Sequence, residues 1–390
     1  MVRRIGIEER WARLAVRHRL APAAHAATPV EVAGSVVALH ATDPASVFLA
    51  VHARTPPVEP AAIEWALYEE RSLLRMLGMR RTMFVVPVDL APVVQAAVTK
   101  SIAVAQRRRY AKLLQDAGVG DAAWLAEVEE ATLRALAARG EATGAQLSAD
   151  EPRLRTAIDV AADKPYGAKQ NITTWVLFML AAEGRIVRGR PLGSWTSSQY
   201  KWSPAGTWLP DGMPELPAEE ARVELARRWL TSFGPGTAAD LRWWTGWAAV
   251  HVKRALAALK PVEVDLDGTP GLVLPDDLAP TPPPEPWVAL LPALDPTAMG
   301  WAGRDWYLGP HAAALFDRSG NIGPTVWSDG RIVGGWAQRA DGQVVYRLLE
   351  DVGTEKAAAV EEAAGRLAKW IGTVRVTPRF RTPLERELSA

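Results

Sequence analysis

Three polar side chains end an otherwise apolar segment near the start of the chain. His40, Thr42 and Asp43 follow the run Val36-Val-Ala-Leu39, which predicts the last turns of a helix, and Pro44 is suited to open the next helix. A spacing of two at such a junction lets His40 and Thr42 point the same way. The segment therefore predicts a catalytic or binding site in which these groups converge on a shared ligand or water.

Each of the three side chains also has a simpler interpretation. An Asp directly before a helix-opening proline most often caps the helix, because its carboxylate accepts the free backbone N–H groups of the first turn. A histidine among apolar residues is often a hydrogen-bonded core residue, and Thr42 fits a turn. The residues alone leave both interpretations open.

An arginine-bearing hairpin is predicted between residues 72 and 87. The stretches 72–75 and 81–86 have the composition of paired strands, with Gly78 near the turn. Arg75, Arg80 and Arg81 lie on or beside this hairpin, and the guanidinium fork binds phosphate oxygens in pairs. We expect these arginines to contact DNA phosphates; the alternative is ion pairing with the nearby Glu69 and Glu70.

Two more groups of side chains suit nucleic-acid binding. They lie on two predicted helices and comprise Arg107, Arg108 and Arg109 on the first, and Lys169, Gln170 and Asn171 at the start of the second. Lysine, glutamine and asparagine at the start of a helix can bind phosphates or base edges. The simpler alternative makes Asn171 a helix cap and Lys169 a solvated charge.

The elements that must position these groups are indicated by a pattern that occurs twice. The stretches 139–147 and 233–241 share Gly, Thr, Ala and Leu in register. Each follows an amphipathic helix and opens a short one, and a third helix then runs into a β segment. This order is typical of a winged helix, which aims one helix at the DNA major groove. Residues 1–88 show a divergent version of the same order.

We therefore expect an α+β fold with three tandem winged-helix units and a small C-terminal β domain that resembles a barrel. The expected segments are a divergent winged helix with a basic helix (1–117), a second winged helix with a Trp-rich connector (118–213), a third winged helix (214–279), a Pro-rich linker (280–286) and a β domain with a closing helix (287–390). The 17 tryptophans are expected mainly as core or interdomain anchors.

Composition narrows the possible functions. The chain has 390 residues and no cysteine, which excludes disulfides, thiolate metal sites and a Cys nucleophile and agrees with a reducing cytoplasm. The six histidines have no paired metal-ligand spacing, and no phosphate-binding glycine motif occurs. We expect no metal, no nucleotide cofactor, no signal peptide and no membrane span.

The charge of the chain is concentrated at one end. The net charge is only +1, yet residues 1–112 hold 16 Lys and Arg against 9 Asp and Glu, a net of +7. A local excess of this size is either a phosphate-facing surface or an ordinary solvated one. The hairpin at Glu263–Asp267 is acidic and would repel phosphate, so we expect the third unit to be mainly architectural.

Several stretches together resemble a known family. They are Leu39-His-Ala-Thr-Asp-Pro44, Met79-Arg-Arg-Thr-Met-Phe-Val-Val-Pro87, Leu291-Pro-Ala-Leu-Asp-Pro296, Pro324-Thr-Val-Trp-Ser-Asp-Gly-Arg331 and Gly334-Gly-Trp336. The chain resembles the winged-helix DNA-binding family that includes the AlkZ-type bacterial DNA glycosylases, which unhook interstrand crosslinks. The resemblance implies that the winged helices and the C-terminal domain form a C shape around a concave, DNA-sized channel.

The resemblance also implies a catalytic triplet. Family glycosylases carry Gln–apolar–Gln or Gln–apolar–Asp, which positions the hydrolytic water, and the matching positions here are His40, Ala41 and Thr42. A neutral His40 can accept a proton from water, Thr42 can orient it, and Asp43 can supply negative charge to the oxocarbenium-like sugar. The loss of both glutamines is equally consistent with a branch that binds DNA without catalysis.

The first functional hypothesis is therefore a monomeric cytoplasmic DNA glycosylase. It would bind damaged double-stranded DNA and excise N7-alkylated purines, crosslinks included, without a metal or cofactor. The second hypothesis is a catalytically inactive winged-helix protein that binds DNA or regulates it. A third has the channel bind a small ligand or a protein partner.

Overall fold

The computed structural model describes residues 2–160 and 168–390. Helices and short strands alternate along the chain, so the predicted α+β class is confirmed. The strands form small sheets of two to four strands. Each sheet connects helices that pack on it.

The first part of the chain contains a three-stranded sheet with helices around it. Its elements are β1 (Arg3–Arg4), α1 (Ile7–Arg17), α2 (Pro29–Ser35), β2 (Leu39–His40), α3 (Pro44–His52), α4 (Pro60–Glu64, continued by a π turn Trp65–Glu69), β3 (Leu73–Leu77) and β4 (Met83–Pro87). Thr28 and Asp43 cap α2 and α3 by accepting N–H groups of the first turn. The helix starts that the pairs Thr28-Pro29 and Asp43-Pro44 predict are therefore confirmed. The prediction that residues up to Leu39 belong to a helix is wrong, because α2 ends at Ser35 and Leu39–His40 pair with β4 as strand β2.

The predicted arginine hairpin is also confirmed. Strands β3 and β4 pair antiparallel and β2 adds to the other side of β4, giving the order β2-β4-β3. The strands extend to Leu77 and begin at Met83, so Arg80 and Arg81 lie in the turn, where both have positive φ angles of 53° and 59°. The turn packs against the third unit, since a Cβ at Gly246 would lie 3.4 Å from the backbone of Arg80.

The second part of the chain is mainly helical. Its elements are α5 (Ala91–Val94, continued by a π turn Gln95–Thr99), α6 (Lys100–Asp116), α7 (Ala122–Arg139), α8 (Gly144–Asp150), β5 (Ala157–Val160), β6 (Ala168–Asn171), α9 (Thr173–Ala182), β7 (Ile186–Pro191) and β8 (Tyr200–Pro204). By length and composition alone, the helical segment Val88–Asp116 could cross a membrane. Half of its apolar window is buried inside the protein, as in the core helix of a folded domain.

One predicted element in this part is wrong. Lys169, Gln170 and Asn171 do not start a helix, because they form strand β6, which pairs with β5. Helix α9 begins at Thr173, and the residue before it, Ile172, makes no side-chain cap. The polar run thus belongs to a hairpin, and Asn171 is not the cap that the simpler interpretation assigned to it.

The third part contains α10 (Ala218–Phe233), α11 (Ala238–Thr245), α12 (Ala249–Leu259), β9 (Val262–Leu266) and β10 (Thr269–Val273).

The sequence pattern that occurs twice, at residues 139–147 and 233–241, has a structural cause. Thr143 and Thr237 both cap a short helix, and the side chains three residues later, Gln146 and Asp240, bond back to the cap residue's N–H. The shared residues are thus two capping boxes, which fix where α8 and α11 begin.

The acidic hairpin of the third part binds the N-terminus. Strand β1 pairs parallel with β9, and the Nε of Arg4 donates to Asp267 at 2.8 Å. A hairpin occupied by the chain's own arginine agrees with the architectural role expected for it.

The C-terminal part contains β11 (Val288–Leu291), α13 (Asp305–Leu308), α14 (Ala312–Leu315), β12 (Thr325–Ser328), β13 (Arg331–Gln338), β14 (Val344–Leu348), α15 (Thr354–Ile371) and α16 (Pro383–Ser389). Its strands form one antiparallel sheet in the order β11-β12-β13-β14. Asp329 and Gly330 form the predicted tight turn, with φ angles of 48° and 91°.

Three expectations from the sequence pattern are wrong here, namely a barrel-like domain, a strand at residues 306–308 and a strand at residues 373–376. The sheet is open rather than barrel-like, since β11 and β14 are its edges. Residues 306–308 are helical, because Trp306 and Tyr307 pack edge-on into an aromatic cluster with Trp301. Residues 373–376 form no strand, and the chain continues to helix α16.

Two large hydrophobic cores hold these parts together. One core joins residues of all four parts, with Leu39, Trp195, Trp229 and Trp327 among its buried members. The other fills the second part around Leu125, Trp175 and Leu180. Domain boundaries drawn along the sequence therefore cut through a shared core.

Tryptophan N–H groups tie distant segments together, as expected for anchors. The indole nitrogen of Trp247 donates to Ala97 at 3.1 Å, that of Trp301 to Phe233 at 3.1 Å and that of Trp370 to Val58 at 2.6 Å. Each bond satisfies a carbonyl of another element while the ring fills the interface.

A fully buried ion pair joins the first and C-terminal parts. Arg54 donates from Nη1 to Oδ2 of Asp295 at 2.9 Å and from Nη2 to Oδ1 at 2.6 Å, and both side chains are 0% exposed. The guanidinium also reaches the carbonyl of His18 and the hydroxyl of Thr297. Such full pairing is what allows two charges to remain in a core.

Candidate active site

His40 lies where three parts of the chain meet. It ends strand β2 opposite Phe84, whose ring is 5.1 Å away, and its side chain is largely buried. A pocket of about 50 Å³ opens beside it, lined by Ala38, His40, Arg80, Thr82, Phe84, Trp244, Pro296, Met299 and Asn321. No lining residue is acidic and Arg80 is basic, so the pocket favours an uncharged or negatively charged occupant.

Burial makes His40 neutral. The pKa of its imidazole is lowered to about 3, first by desolvation and then by the nearby charge of Arg80. The backbone N–H of Thr42 lies 3.5 Å from its Nδ1, so Nδ1 accepts and the ring proton resides on Nε2. In this form His40 can hold a water molecule by donating to its oxygen.

Thr42 lies close to His40, but its hydroxyl and its carbonyl have different surroundings. Its hydroxyl oxygen is buried without a hydrogen-bond partner among the described residues. Its carbonyl accepts from Nη1 of Arg379 at 3.4 Å. A buried hydroxyl without a partner has an unused capacity for one hydrogen bond, to water or ligand.

Asp43 is the helix cap that the simpler interpretation assigned to it. One carboxylate oxygen accepts the N–H of Ala45 at 3.1 Å and the other accepts the N–H of Arg379 at 3.0 Å. Burial raises its pKa, although these hydrogen bonds oppose the shift. The side chain lines a small cavity of about 10 Å³ beside Ser46 and Val376. The structure thus places Asp43 away from the pocket of His40.

Two arginines contact one tryptophan at the edge of the His40 pocket. The guanidinium carbon of Arg80 lies 4.1 Å from the ring centre of Trp243, and that of Arg304 lies 4.6 Å from it. Burial lowers the pKa of Arg80, and Arg304 adds to the effect. The ring faces hold both cations near the pocket. No sequence motif marks Arg304, which was not among the predicted site residues.

The remaining hairpin arginines differ in exposure. Arg81 is exposed, with its guanidinium 5.7 Å from the ring of Phe178. Arg75 is only 4% exposed and donates to the carbonyl of Ala41 at 3.1 Å. Arg75 thus lies on the hairpin as predicted, but its side chain is buried rather than presented on the surface. The alternative pairing with Glu69 and Glu70 is wrong, because Glu69 binds Arg190 and Glu70 accepts from Ser72.

The other predicted DNA-binding residues lie on the second part. Arg107 is bound by Glu129 and Glu183 at 2.9 and 2.5 Å, so its charge is already compensated. Arg108 and Arg109 are exposed on the same helix. Lys169, Gln170 and Asn171 are exposed on β6, where Gln170 accepts from the indole of Trp175 at 3.1 Å.

The family to which this chain belongs follows from a comparison with known families. The sequence matches the family described as DNA glycosylase AlkZ-like over residues 33–370, a range that contains the His40 pocket, both capping boxes and the whole C-terminal sheet. The chain belongs to the AlkZ-like DNA glycosylase family.

A solved structure agrees with this family membership. The fold is similar to that of the Streptomyces sahachiroi DNA glycosylase AlkZ, with a TM-score of 0.73 over 96% of this chain and 99% of that one. The two sequences are 21% identical, so the likeness shows a shared fold. No curated protein sequence matches the chain.

Membership of the AlkZ-like family supports a DNA glycosylase function, and such an enzyme must bind DNA. No group of three or more His, Asp or Glu residues that could hold a metal ion occurs within residues 2–160 and 168–390.

Buried histidines predict how the stability of this AlkZ-like protein depends on pH. Burial lowers the pKa of His18 and His40 to about 3 and that of His52 to about 4. The unfolded chain protonates them near pH 6.5. As the pH falls from 6.5 to 5, only the unfolded chain takes up these protons, so the free energy of unfolding should fall by about 1.4 kcal/mol per pH unit for each residue.

Urea denaturation between pH 5 and 8 measures this dependence. Above pH 6.5 the three histidines contribute no slope, because they are neutral in both states. A His52→Gln variant should remove the contribution of one histidine to the slope below pH 6.5. A stability that stays constant from pH 8 to 5 would show that these rings are protonated in the folded protein.

Proposed function

We propose that this protein is a monofunctional DNA glycosylase that hydrolyses the N-glycosidic bond of N7-alkylated purines in double-stranded DNA, crosslinked purines included. The observation that carries the proposal is the neutral, buried His40 in an acid-free pocket, at the position of the first glutamine of the family's triplet. Family membership supplies the reaction class.

The order of elements supports the proposed DNA-binding architecture. Helix, strand, two helices and a hairpin follow one another from α2 to β4, which is the order of a winged helix. The capping boxes at Thr143 and Thr237 begin corresponding helices in the next two units. We propose that the three units and the C-terminal part border a channel in which Arg80, Arg81 and Arg304 face the DNA backbone.

In the proposed reaction a water molecule is held in the pocket by the Nε2–H of His40. Thr42 does not line the pocket; its backbone N–H lies 3.5 Å from Nδ1 of His40 and fixes the tautomer that donates from Nε2. One lone pair of the water then forms the C1′–O bond as the C1′–N9 bond breaks. The bonding electrons neutralise the cationic alkylated purine as it leaves, and the proton of the water passes to solvent.

This arrangement needs neither a strong base nor a strong acid. An N7-alkylated purine is already cationic, so its departure requires little protonation, and the expectation that His40 acts as a base becomes unnecessary. The lining of the pocket includes no lysine, so no amine is in place to attack C1′. Hydrolysis by water is thus the favoured route, which leaves an abasic site.

The size of the pocket bears on the substrate. About 50 Å³ accommodates a few water molecules and no purine base. The lesion would therefore remain outside the pocket, without full extrusion from the duplex. A site that does not enclose the base can accept bulky adducts, and this supports crosslinked purines as substrates.

The proposal predicts an abasic product from a defined substrate. Wild-type protein incubated with a duplex carrying one N7-methylguanine should release that base, because the cationic purine is a good leaving group. Alkaline cleavage of the strand at the lesion measures the product, and the same duplex with guanine is the control. No cleavage above the control would reject the enzymatic function.

The loss of both family glutamines favours one other function, a DNA-binding protein without catalysis. This alternative predicts binding whose affinity falls steeply with salt, with no base released from any alkylated duplex. Binding that does not respond to salt would instead favour a small ligand or a protein partner.

A further inference from the structure

A second cationic cluster lies on the opposite face of the β2-β4-β3 sheet from His40. In register, His40 pairs with Phe84, whereas Arg75 pairs with the adjacent Val85. Neighbouring residues on a strand point to opposite faces. Arg75 is joined on its face by Arg188 of strand β7 and by Arg379 of the C-terminal segment.

The three arginines surround one tyrosine and one turn of backbone. The guanidinium carbons of Arg75 and Arg188 lie 4.9 and 5.7 Å from the ring centre of Tyr200. Arg75 and Arg379 donate to the carbonyls of Ala41 and Thr42. The cluster therefore gathers side chains from three distant segments around the turn that follows His40.

Among the described residues, no carboxylate forms an ion pair with Arg75 or Arg188. Arg379 differs, because the negative charge of Asp43 acts on it, although the Asp43 oxygens accept backbone N–H groups rather than the guanidinium. Burial and the charges of Arg75 and Arg379 lower the pKa of Arg188 to about 10. Cations held together without a counter-charge are costly unless an anion joins them.

Polar atoms without partners border the same cluster. The hydroxyls of Tyr68 and Tyr200 and the Nε of Arg75 are buried and have no hydrogen-bond partner among the described residues. All three side chains are at least nine-tenths buried. Burial raises the pKa of Tyr68, and the charge of Arg75 and its contact with the phenol hydroxyl oppose the shift. The hydroxyl of Tyr200 thus remains the unused donor beside these guanidinium groups, and native proteins usually reserve such a group for a ligand or water.

We propose that Arg75, Arg188, Arg379 and Tyr200 form a binding site for a single phosphate group. Three guanidinium groups and a phenol supply charge-assisted donors that match the oxygens of a phosphate. The identification of its source rests on the proposed function: a DNA glycosylase brings phosphodiesters to this surface, whereas inorganic phosphate is the other source of the same chemistry.

The first test compares DNA binding by two arginine variants. Arg188→Met removes one donor of the site, and Arg185→Met is the matched control, because Arg185 precedes the same strand and is exposed and paired with Glu130. With an undamaged duplex, Arg188→Met should bind about tenfold more weakly at low salt. It should also lower the slope of log Kd against log salt by about one, while Arg185→Met keeps the wild-type slope.

Neutral linkages in the DNA identify the contact. A methylphosphonate placed in turn at each linkage should weaken wild-type binding most at one position. Arg188→Met should lose this sensitivity, because its contact is already gone. Arg379→Gln, a change at an exposed side chain, should behave in the same way and serves as the second variant if the first fails to fold.

Inorganic phosphate tests the other source. At equal ionic strength, phosphate should raise the melting temperature of wild-type protein relative to chloride and leave that of Arg188→Met unchanged. Without phosphate, Arg188→Met should melt no lower than wild type, because an uncompensated cation has been removed; a lower melting temperature would indicate a purely structural role.

The outcomes separate this site from the catalytic proposal. A sensitive linkage without base release supports the phosphate site and rejects the glycosylase. Stabilisation by phosphate without a sensitive linkage assigns the site to the free ion. If neither DNA linkages nor inorganic phosphate distinguish Arg188→Met from wild type, the phosphate site is rejected.

Discussion

Replacement of His40 by alanine is expected to slow the release of N7-methylguanine at least about a hundredfold, the usual contribution of a group that positions or transfers a proton. The imidazole is the polar side chain that the pocket offers to a water molecule beside Arg80 and Asn321. Alanine leaves the water without the Nε2–H donor. Single-turnover rates on a duplex with one lesion measure the loss, and the affinity for DNA should remain unchanged.

Two further variants belong to this experiment: a glutamine substitution at His40 and a control substitution at a distant histidine. His40→Gln restores the amide of the family's triplet and should retain activity, because an amide can also hold a water molecule. His311→Ala changes a histidine of the C-terminal part that contacts Glu350, and it should leave the rate unchanged. Equal rates for His40→Ala and wild type would contradict the proposed mechanism.

Arg54→Met is expected to lower the free energy of unfolding by about 3–5 kcal/mol, the usual loss when one member of a buried ion pair is removed. Asp295 would be left 0% exposed without its cation. The carbonyl of His18 would also lose a donor. Urea denaturation followed by tryptophan fluorescence measures the change.

Two further variants identify the cause of that loss. Arg366→Met removes an exposed arginine 3.6 Å from Glu362 and should change stability by at most about 0.5 kcal/mol. Arg54→Met combined with Asp295→Leu removes both charges and should recover part of the stability. A loss below about 1 kcal/mol for Arg54→Met would mean that the pair is not buried in solution.

Local sequence signals predicted the elements around the candidate site well. Pro29 and Pro44 marked helix starts because proline fits the first helical turn and lacks the N–H that would remain unpaired there. The repeated Thr with a Gln or Asp three residues later marked two more helix starts, since a capping box is a local structure. The apolar, strand-forming composition of residues 72–75 and 81–86 likewise located β3 and β4.

The features that could not be predicted from the sequence depend on contacts between residues that lie far apart in the chain. Arg75 belongs to a strand whose burial depends on Tyr200 and Ala41, which lie far from it in sequence. Arg304 approaches the pocket only because Trp243 lies under its guanidinium. The open C-terminal sheet reflects packing by α15 and α16, and no strand pattern reveals such coverage.

At the positions of the family's triplet, the local sequence and distant contacts likewise determine different properties. Sequence spacing located His40 and Thr42, and the cap at Asp43 followed from Pro44. The depressed pKa of His40 instead comes from burial beneath residues 296–321 and from Arg80. The resemblance to the family therefore located the site, and the packing of distant segments sets its electrostatics.

The core shared by the first and C-terminal parts has a consequence for biosynthesis. Arg54 leaves the ribosome 241 residues before its partner Asp295, a delay of roughly 10–50 s at about 5–20 residues per second. During that interval Leu39 and its neighbours lack the C-terminal surface that covers them. The nascent chain is thus a client for chaperones, and a polypeptide released early, at the proline-rich linker, would be a substrate for proteolysis rather than a smaller working protein.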